Sequence, residues 1–205
     1  MDILNTLSLK SNRQIKINFD GGDLSSDAGL LLIQEFAAKI GFLKLIKKKF
    51  KTNDKSVRFH KDDENLMQMI YQVISAYFED DCADELTLDP VFNVILEKDR
   101  LASQPTLSRF FNRMDEDTLL QFDDIDKSLR DIIYSIKYPE HVLLDLDSTL
   151  FGTYGSQEGE GFNFHYQAHG YHPLLCYDGL TGDLLKAELR DGTLHCSNDA
   201  DKFME

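Results

Sequence analysis

The segment His141-Val142-Leu143-Leu144-Asp145-Leu146-Asp147-Ser148-Thr149 constrains the fold more than any other part of the chain. It is an apolar, strand-like run that ends in two carboxylates separated by one residue, followed by hydroxyls and a glycine turn. Period-two alternation sends Asp145 and Asp147 to one face of a strand, where like charges cost free energy unless a cation or a shared proton offsets them. The pattern points to a divalent-metal or phosphoryl-transfer site. The structural alternative is that one Asp caps the turn while the other is solvated at the strand end.

The texture of the chain changes at Tyr138-Pro139. Before it, helical signals dominate. Gln14 to Phe19 alternates like a short strand and stops at Asp20-Gly21-Gly22. Ser25, Ser26 or Asp27 can then cap a helix with Leu32, Phe36 and Ile40 inward, followed by a short helix running into Lys47-Lys48-Lys49. Asp62-Asp63-Glu64 suits a helix start, with Leu66, Ile70, Val73 and Tyr77 as its apolar stripe. Asp89-Pro90 opens another helix, and Ser103 to Phe111 reads as a capped short one. Asp115 to Lys137 reads as a long amphipathic helix with Leu119, Phe122, Leu129, Ile132 and Ile136 inward.

After His141 come strand-like runs separated by glycines: the Asp strand, Gly161 to Tyr166, Pro173 to Tyr177 and Leu184 to Leu189, with turn signals at Asp178-Gly179 and Thr181-Gly182. The simplest arrangement is an antiparallel meander led by the Asp strand. Asn198 to Glu205 reads as the opening of a helix. The expected class is therefore α+β, with a mostly helical domain at 1–137 and a β domain at 138–205.

A length of 205 residues allows one good core and a second small one. Three cysteines, Cys82, Cys176 and Cys196, without C-x-x-C spacing indicate neither a disulfide framework nor a thiolate zinc site. No apolar run approaches the roughly 18 residues that span a bilayer, and Met1 to Lys10 lacks a basic segment followed by an apolar one, so no membrane partner and a cytoplasmic location are expected. The net charge of −14 is unevenly spread: residues 1–61 carry +6 and residues 62–205 carry −20. A basic head is thus the better surface for phosphate contact, with Lys44, Lys47, Lys48, Lys49, Lys51 and Lys55 as its run. Arg109 and Arg113, among Ser103, Gln104, Thr106 and Ser108, have the texture of a helix presented to DNA. Each of these sets also reads as an ordinary solvated helix surface. His165, His169 and His172 invite a zinc reading, but they would lie along a strand and its turn, and core or turn histidines are the plainer assignment. Asp123, Asp124 and Asp126 read as a solvated helix face.

Two known patterns match. Asp145-Leu146-Asp147-Ser148-Thr149 resembles the D-x-D-x-T motif of haloacid-dehalogenase-like Mg-dependent phosphatases, which implies Asp145 as nucleophile and Asp147 as general acid/base. A glycine-rich stretch follows where that family has a helical excursion. The second resemblance covers the chain from about Phe19 onward and is carried by motifs in order: Phe19 to Leu32, Leu101 to Phe110, the Asp strand, Gly170-Tyr171-His172-Pro173-Leu174, and Leu189-Arg190-Asp191-Gly192. Together they resemble insertion-sequence transposases of the DDE superclass, in the group named after insertion sequence thirteen-eighty and related to the IS-four-like enzymes.

This resemblance implies a truncated RNase-H-like catalytic domain whose first acidic ligand sits on the first strand of an antiparallel meander. Asp147 is the best match to that catalytic and metal-binding acid, with Asp145 second. The resemblance further implies Mg2+ or Mn2+ as cofactor, phosphoryl transfer on double-stranded DNA at terminal inverted repeats, a homo-oligomer, and Lys47, Lys48, Lys49, Arg109 and Arg113 as DNA-binding residues. In that family the second Asp and the Glu lie later than Asp191, Asp199, Asp201 or Glu205. The chain is therefore expected to be the N-terminal part of a longer enzyme, inactive in cleavage alone, or a non-catalytic DNA-binding remnant.

Overall fold

The computed structural model describes residues 6–22 and 24–204. Met1 to Asn5, Asp23 of the first motif and Glu205 lie outside the described residues. The chain divides into two compact units, Met1–Ile132 and Ile133–Glu205.

The first unit opens with a two-stranded antiparallel hairpin, β1 (Thr6–Ser8) and β2 (Lys16–Asn18), with Leu7 opposite Ile17. Helices α1 (Leu30–Ile40) and α2 (Phe42–Lys49) share Gly41, which ends one and starts the next with φ of 77°. That left-handed conformation is cheap only for glycine, and it lets the chain turn within a single residue. α3 (Asp62–Ile74) begins where the acidic triplet predicts, with Glu64 reaching back to the Lys61 backbone N–H at 3.0 Å. A short α4 (Cys82–Glu85) and a 3-10 turn (Leu86–Leu88) lead to α5 (Pro90–Leu96), where the Asp89 carboxylate accepts from the N–H groups of Val91 and Phe92. α6 (Gln104–Phe111) and the long α7 (Glu116–Ile136) complete the set. The division between the units falls inside α7.

A large core, with a smaller cluster of Ala83, Ala102 and Leu107 beside it, holds the helices together. Ile46, Phe50, Tyr71, Phe92, Leu101 and Phe110 are all buried in it, with Phe50 in an edge contact with Phe110 at 5.9 Å between ring centroids. Each such side chain contributes on the order of 1.5–3 kcal/mol on burial.

The expected helix stripes are partly wrong, for a consistent reason. α1 buries Leu30, Leu31, Gln34 and Ala37, and leaves Leu32 and Phe36 exposed. Four consecutive apolar residues at its start leave the phase open. Gln34 fixes it by donating from Nε2 to the Ile95 carbonyl at 3.0 Å. α3 likewise buries Gln68, whose amide donates to Ala102 O at 2.8 Å and accepts from Ala102 N at 2.9 Å, while Val73 is exposed. In α7 the buried residues are Thr118 and Ile125, and Leu119 and Ile136 face solvent. Polar side chains matched to backbone groups occupy positions that an apolar template gives to hydrophobes.

The second unit is built on β3 (Leu144–Ser148), β4 (Phe151–Gly152), β5 (Gly161–Asn163), β6 (Ala168–Tyr171), β7 (Leu174–Asp178), β8 (Leu184–Glu188) and a one-turn helix α8 (Ala200–Phe203). β3, β7 and β8 form a three-stranded antiparallel sheet in that order. The expected single meander is corrected in one respect: the run from Gly161 is not a strand of it. β4, β6 and β5 make a separate antiparallel sheet between β3 and β7 in sequence. Glycines permit this arrangement, because a Cβ on Gly170 would lie 2.3 Å from Phe151 O and one on Gly192 only 1.8 Å from Gly170 O. Backbones meet directly there, which only glycine allows. α8 lies over the main sheet through Phe203, which clusters with Leu174 and Cys176. The Lys186 ammonium holds its end by donating to Phe203 O at 2.6 Å.

Candidate functional site at the end of the aspartate strand

Register fixes the two aspartates. Asp145 stands opposite Tyr177 and Asp147 opposite Leu175, so both project to one face of the sheet, while Leu146 stands opposite Cys176 on the other. Both carboxylates are exposed, and Asp147 Oδ1 accepts from the Ser148 N–H at 2.8 Å. They differ in what lies beside them. Asp147 lines a cavity of about 550 Å³ at the strand end, and Asp145 does not.

The same cavity is lined by Ser148, Asn163, His165, His172, His195 and Cys196. His172 is buried, and its Nδ1 is 2.7 Å from the Leu194 carbonyl, which can only accept. The proton is therefore on Nδ1, and the lone pair on Nε2 is buried without a partner among the described residues. The cavity thus carries the anionic oxygens of Asp147 and, on His172, an imidazole nitrogen without a partner among the described residues.

Buried polar residues hold this wall in place. Asn163 donates from Nδ2 to Gly192 O at 2.9 Å, and its Oδ1 accepts from the N–H groups of His165 and Tyr166. Tyr166 closes the loop onto the Asp strand by donating its hydroxyl to Ser148 O at 3.0 Å. Arg190 is 5% exposed and spends its guanidinium on backbone carbonyls, His172 at 3.1 Å and Asn198 at 2.8 Å. Sequence reasoning gave no role to Asn163 or Arg190. The only signal was the Leu189-Arg190-Asp191-Gly192 string, where an arginine precedes a glycine turn. Cys176, opposite Leu146 on the neighbouring strand β7, has its thiol pushed upward in pKa by burial and then by the Asp145 charge.

The three histidines of the zinc reading do not converge. His172 is committed as described, and exposed His169 has Nδ1 2.9 Å from Glu160 Oε2. Among the described residues, no group of three or more His, Cys, Asp or Glu side chains is placed to hold a metal ion. Asp147 supplies a hard oxygen donor suited to Mg2+ or Mn2+, but by themselves the described residues do not make a metal centre.

The basic candidates lie in the helical unit. Lys47 and Lys48 are exposed at the end of α2, whereas Lys49 Nζ is paired with Asp124 Oδ2 at 2.6 Å. Asp124 is thus not simply a solvated acid. Arg109 is exposed, with Nη2 3.4 Å from Thr106 Oγ1. Arg113 is paired with Asp62.

Fold and site together define an α+β protein in which an antiparallel sheet carries an aspartate to the mouth of a cavity. The chain belongs to the family described as transposase DDE domain group 1, which matches residues 7–205. No curated protein and no solved structure matches it. Among the described residues, no helix is long and apolar enough to cross a membrane.

Proposed function

We propose that the chain serves DNA transposition of an insertion sequence of the thirteen-eighty group, the helical unit binding terminal inverted repeats and the β unit contributing an RNase-H-like catalytic fold. The observation that carries this reading is the family match across both units, joined to the position of Asp147. The RNase-H-like assignment is supported by β3, β7 and β8, which pair antiparallel in chain order with the acidic strand leading. We assign Asp147 to the first acidic position, with Asp145 as second choice, and Mg2+ or Mn2+ as the ion.

Lys47, Lys48 and Arg109 are the exposed cations proposed to face double-stranded DNA. Lys49 and Arg113 are assigned a supporting role, since each is already bound to a carboxylate. A homo-oligomer and a cytoplasmic setting complete the proposal. The phosphatase reading is disfavoured, because the chain passes from Asp147 directly into β4 and not into a helix.

An electrophoretic mobility assay tests the reading. Terminal inverted repeats should be bound in preference to random duplex, with complexes weakened by salt. Equal binding to both would overturn it.

A further inference from the structure

We propose that a second cavity, in the helical unit beside the first turns of α3 and α6, is a nucleotide site that takes one unpaired nucleotide of a DNA strand. The inference rests on the DNA-binding reading and adds to it a named contact. The cavity is about 300 Å³, at the small end of the range for small-molecule sites, and is lined by Arg58, Phe59, Asn65, Thr106, Arg109 and Arg113 among others.

Its chemistry is unusual for a surface hollow. Asn65 is 1% exposed, and neither its Nδ2 nor its Oδ1 has a hydrogen-bond partner among the described residues. Arg113 Nε on the same wall is also buried without one, although its terminal nitrogens reach Asp62 and the Arg109 carbonyl. Buried polar groups are ordinarily paired, because leaving one unpaired costs about 1–3 kcal/mol. Two such groups at one cavity mark a place where a ligand completes the bonding.

The donor and acceptor pattern selects the ligand. A phosphate offers only acceptors and would satisfy Nδ2 and the arginines but leave Oδ1 without a donor. A nucleobase edge offers an N–H beside an acceptor, which is the complement of a carboxamide. Phe59, 73% exposed at the rim, provides a stacking surface, with Lys98 Nζ 5.2 Å from its centroid. Arg58 is paired with Asp54 and Arg113 with Asp62, while Arg109 forms no ion pair among the described residues, so a phosphate on Arg109 meets uncompensated charge.

The test is fluorescence anisotropy of a short, mixed-sequence single-stranded oligonucleotide on the full chain, with Asn65→Leu and Arg109→Ala variants and with dAMP or inorganic phosphate as competitor. Asn65→Leu removes unpaired polarity at similar volume, so it should keep the fold, checked by thermal melting, while weakening the oligonucleotide about 10-fold. Arg109→Ala, at an exposed position, should weaken it similarly. dAMP should compete well below the concentration at which phosphate does. Wild-type affinity in both variants, or equal competition by phosphate, overturns the site while leaving binding to inverted repeats intact. Failure of the wild-type chain to bind any DNA would remove this inference and the DNA-binding reading together.

Discussion

Arg113 Nη2 lies 2.9 Å from Asp62 Oδ1, with the two side chains only 12% and 18% exposed, so a cation that the sequence offers to DNA is instead a strut between the end of α6 and the start of α3. The pair is shielded from screening, and removing one partner would strand the other charge. Arg113→Ala should cost about 2–4 kcal/mol in denaturant unfolding of the helical unit. Arg109→Ala, four residues earlier and exposed, should stay within about 0.5 kcal/mol in the same measurement.

Asp62 also sets an acid limit on this unit. Burial raises its pKa, but the Thr52 hydroxyl and backbone N–H and the Arg113 guanidinium outweigh it and hold the carboxyl below its ordinary 3.8. A depressed folded-state value means that the stabilisation is complete above about pH 4 and is lost as pH falls through the lowered value. Acid titration followed by circular dichroism should show the loss below pH 4, and Asp62→Asn should flatten that part of the curve.

Tyr71 sits 1% exposed in the core with its hydroxyl unpartnered among the described residues, and burial pushes its pKa up to about 12. Tyr71→Phe should therefore be neutral or stabilising by up to about 1 kcal/mol, read as an unchanged or raised melting temperature. Tyr71→Ala, which opens a cavity, should cost about 3–5 kcal/mol.

Gly192→Ala should disrupt the β unit, because the new methyl would overlap the Gly170 carbonyl and both the N and O of Gly161. Loss of dispersed β-unit resonances in NMR, with the helical unit retained, is the expected outcome. Gly182→Ala is the control: its φ of 79° makes it strained, but nothing lies within 4 Å, so a cost of only about 1 kcal/mol is expected.

Helix starts were legible where capping chemistry is local: Asp89-Pro90 and Asp62-Asp63-Glu64 begin α5 and α3 as their residues imply. The acidic strand and the turn at Asp178-Gly179 were equally plain, since alternation and turn residues act within a few positions; Asp178 Oδ1 accepts from the Leu180 N–H at 2.9 Å. Buried faces were harder to read. Gln34, Asn65 and Gln68 occupy them as polar residues, and what licenses Gln34 and Gln68 there is a carbonyl or amide tens of residues away. The small sheet of β4, β6 and β5 escaped for a related reason: glycine reads as a break in a strand until its neighbour is known to be another backbone. Around the candidate site, Asp147 could be nominated from spacing, but the histidine lone pair and the arginine behind it are consequences of chain closure that no local pattern carries.

Leu146 and Asp147 are neighbours on opposite faces of β3, and that gives the pairing of β3 with β7 a proofreading property. A slip of one residue would exchange the two sets of side chains and turn the carboxylates toward the oily cluster of Leu174, Cys176 and Phe203. Misaligned sheets are thus penalised by the very carboxylates that define the site, so assembling the sheet and presenting the acid are one event.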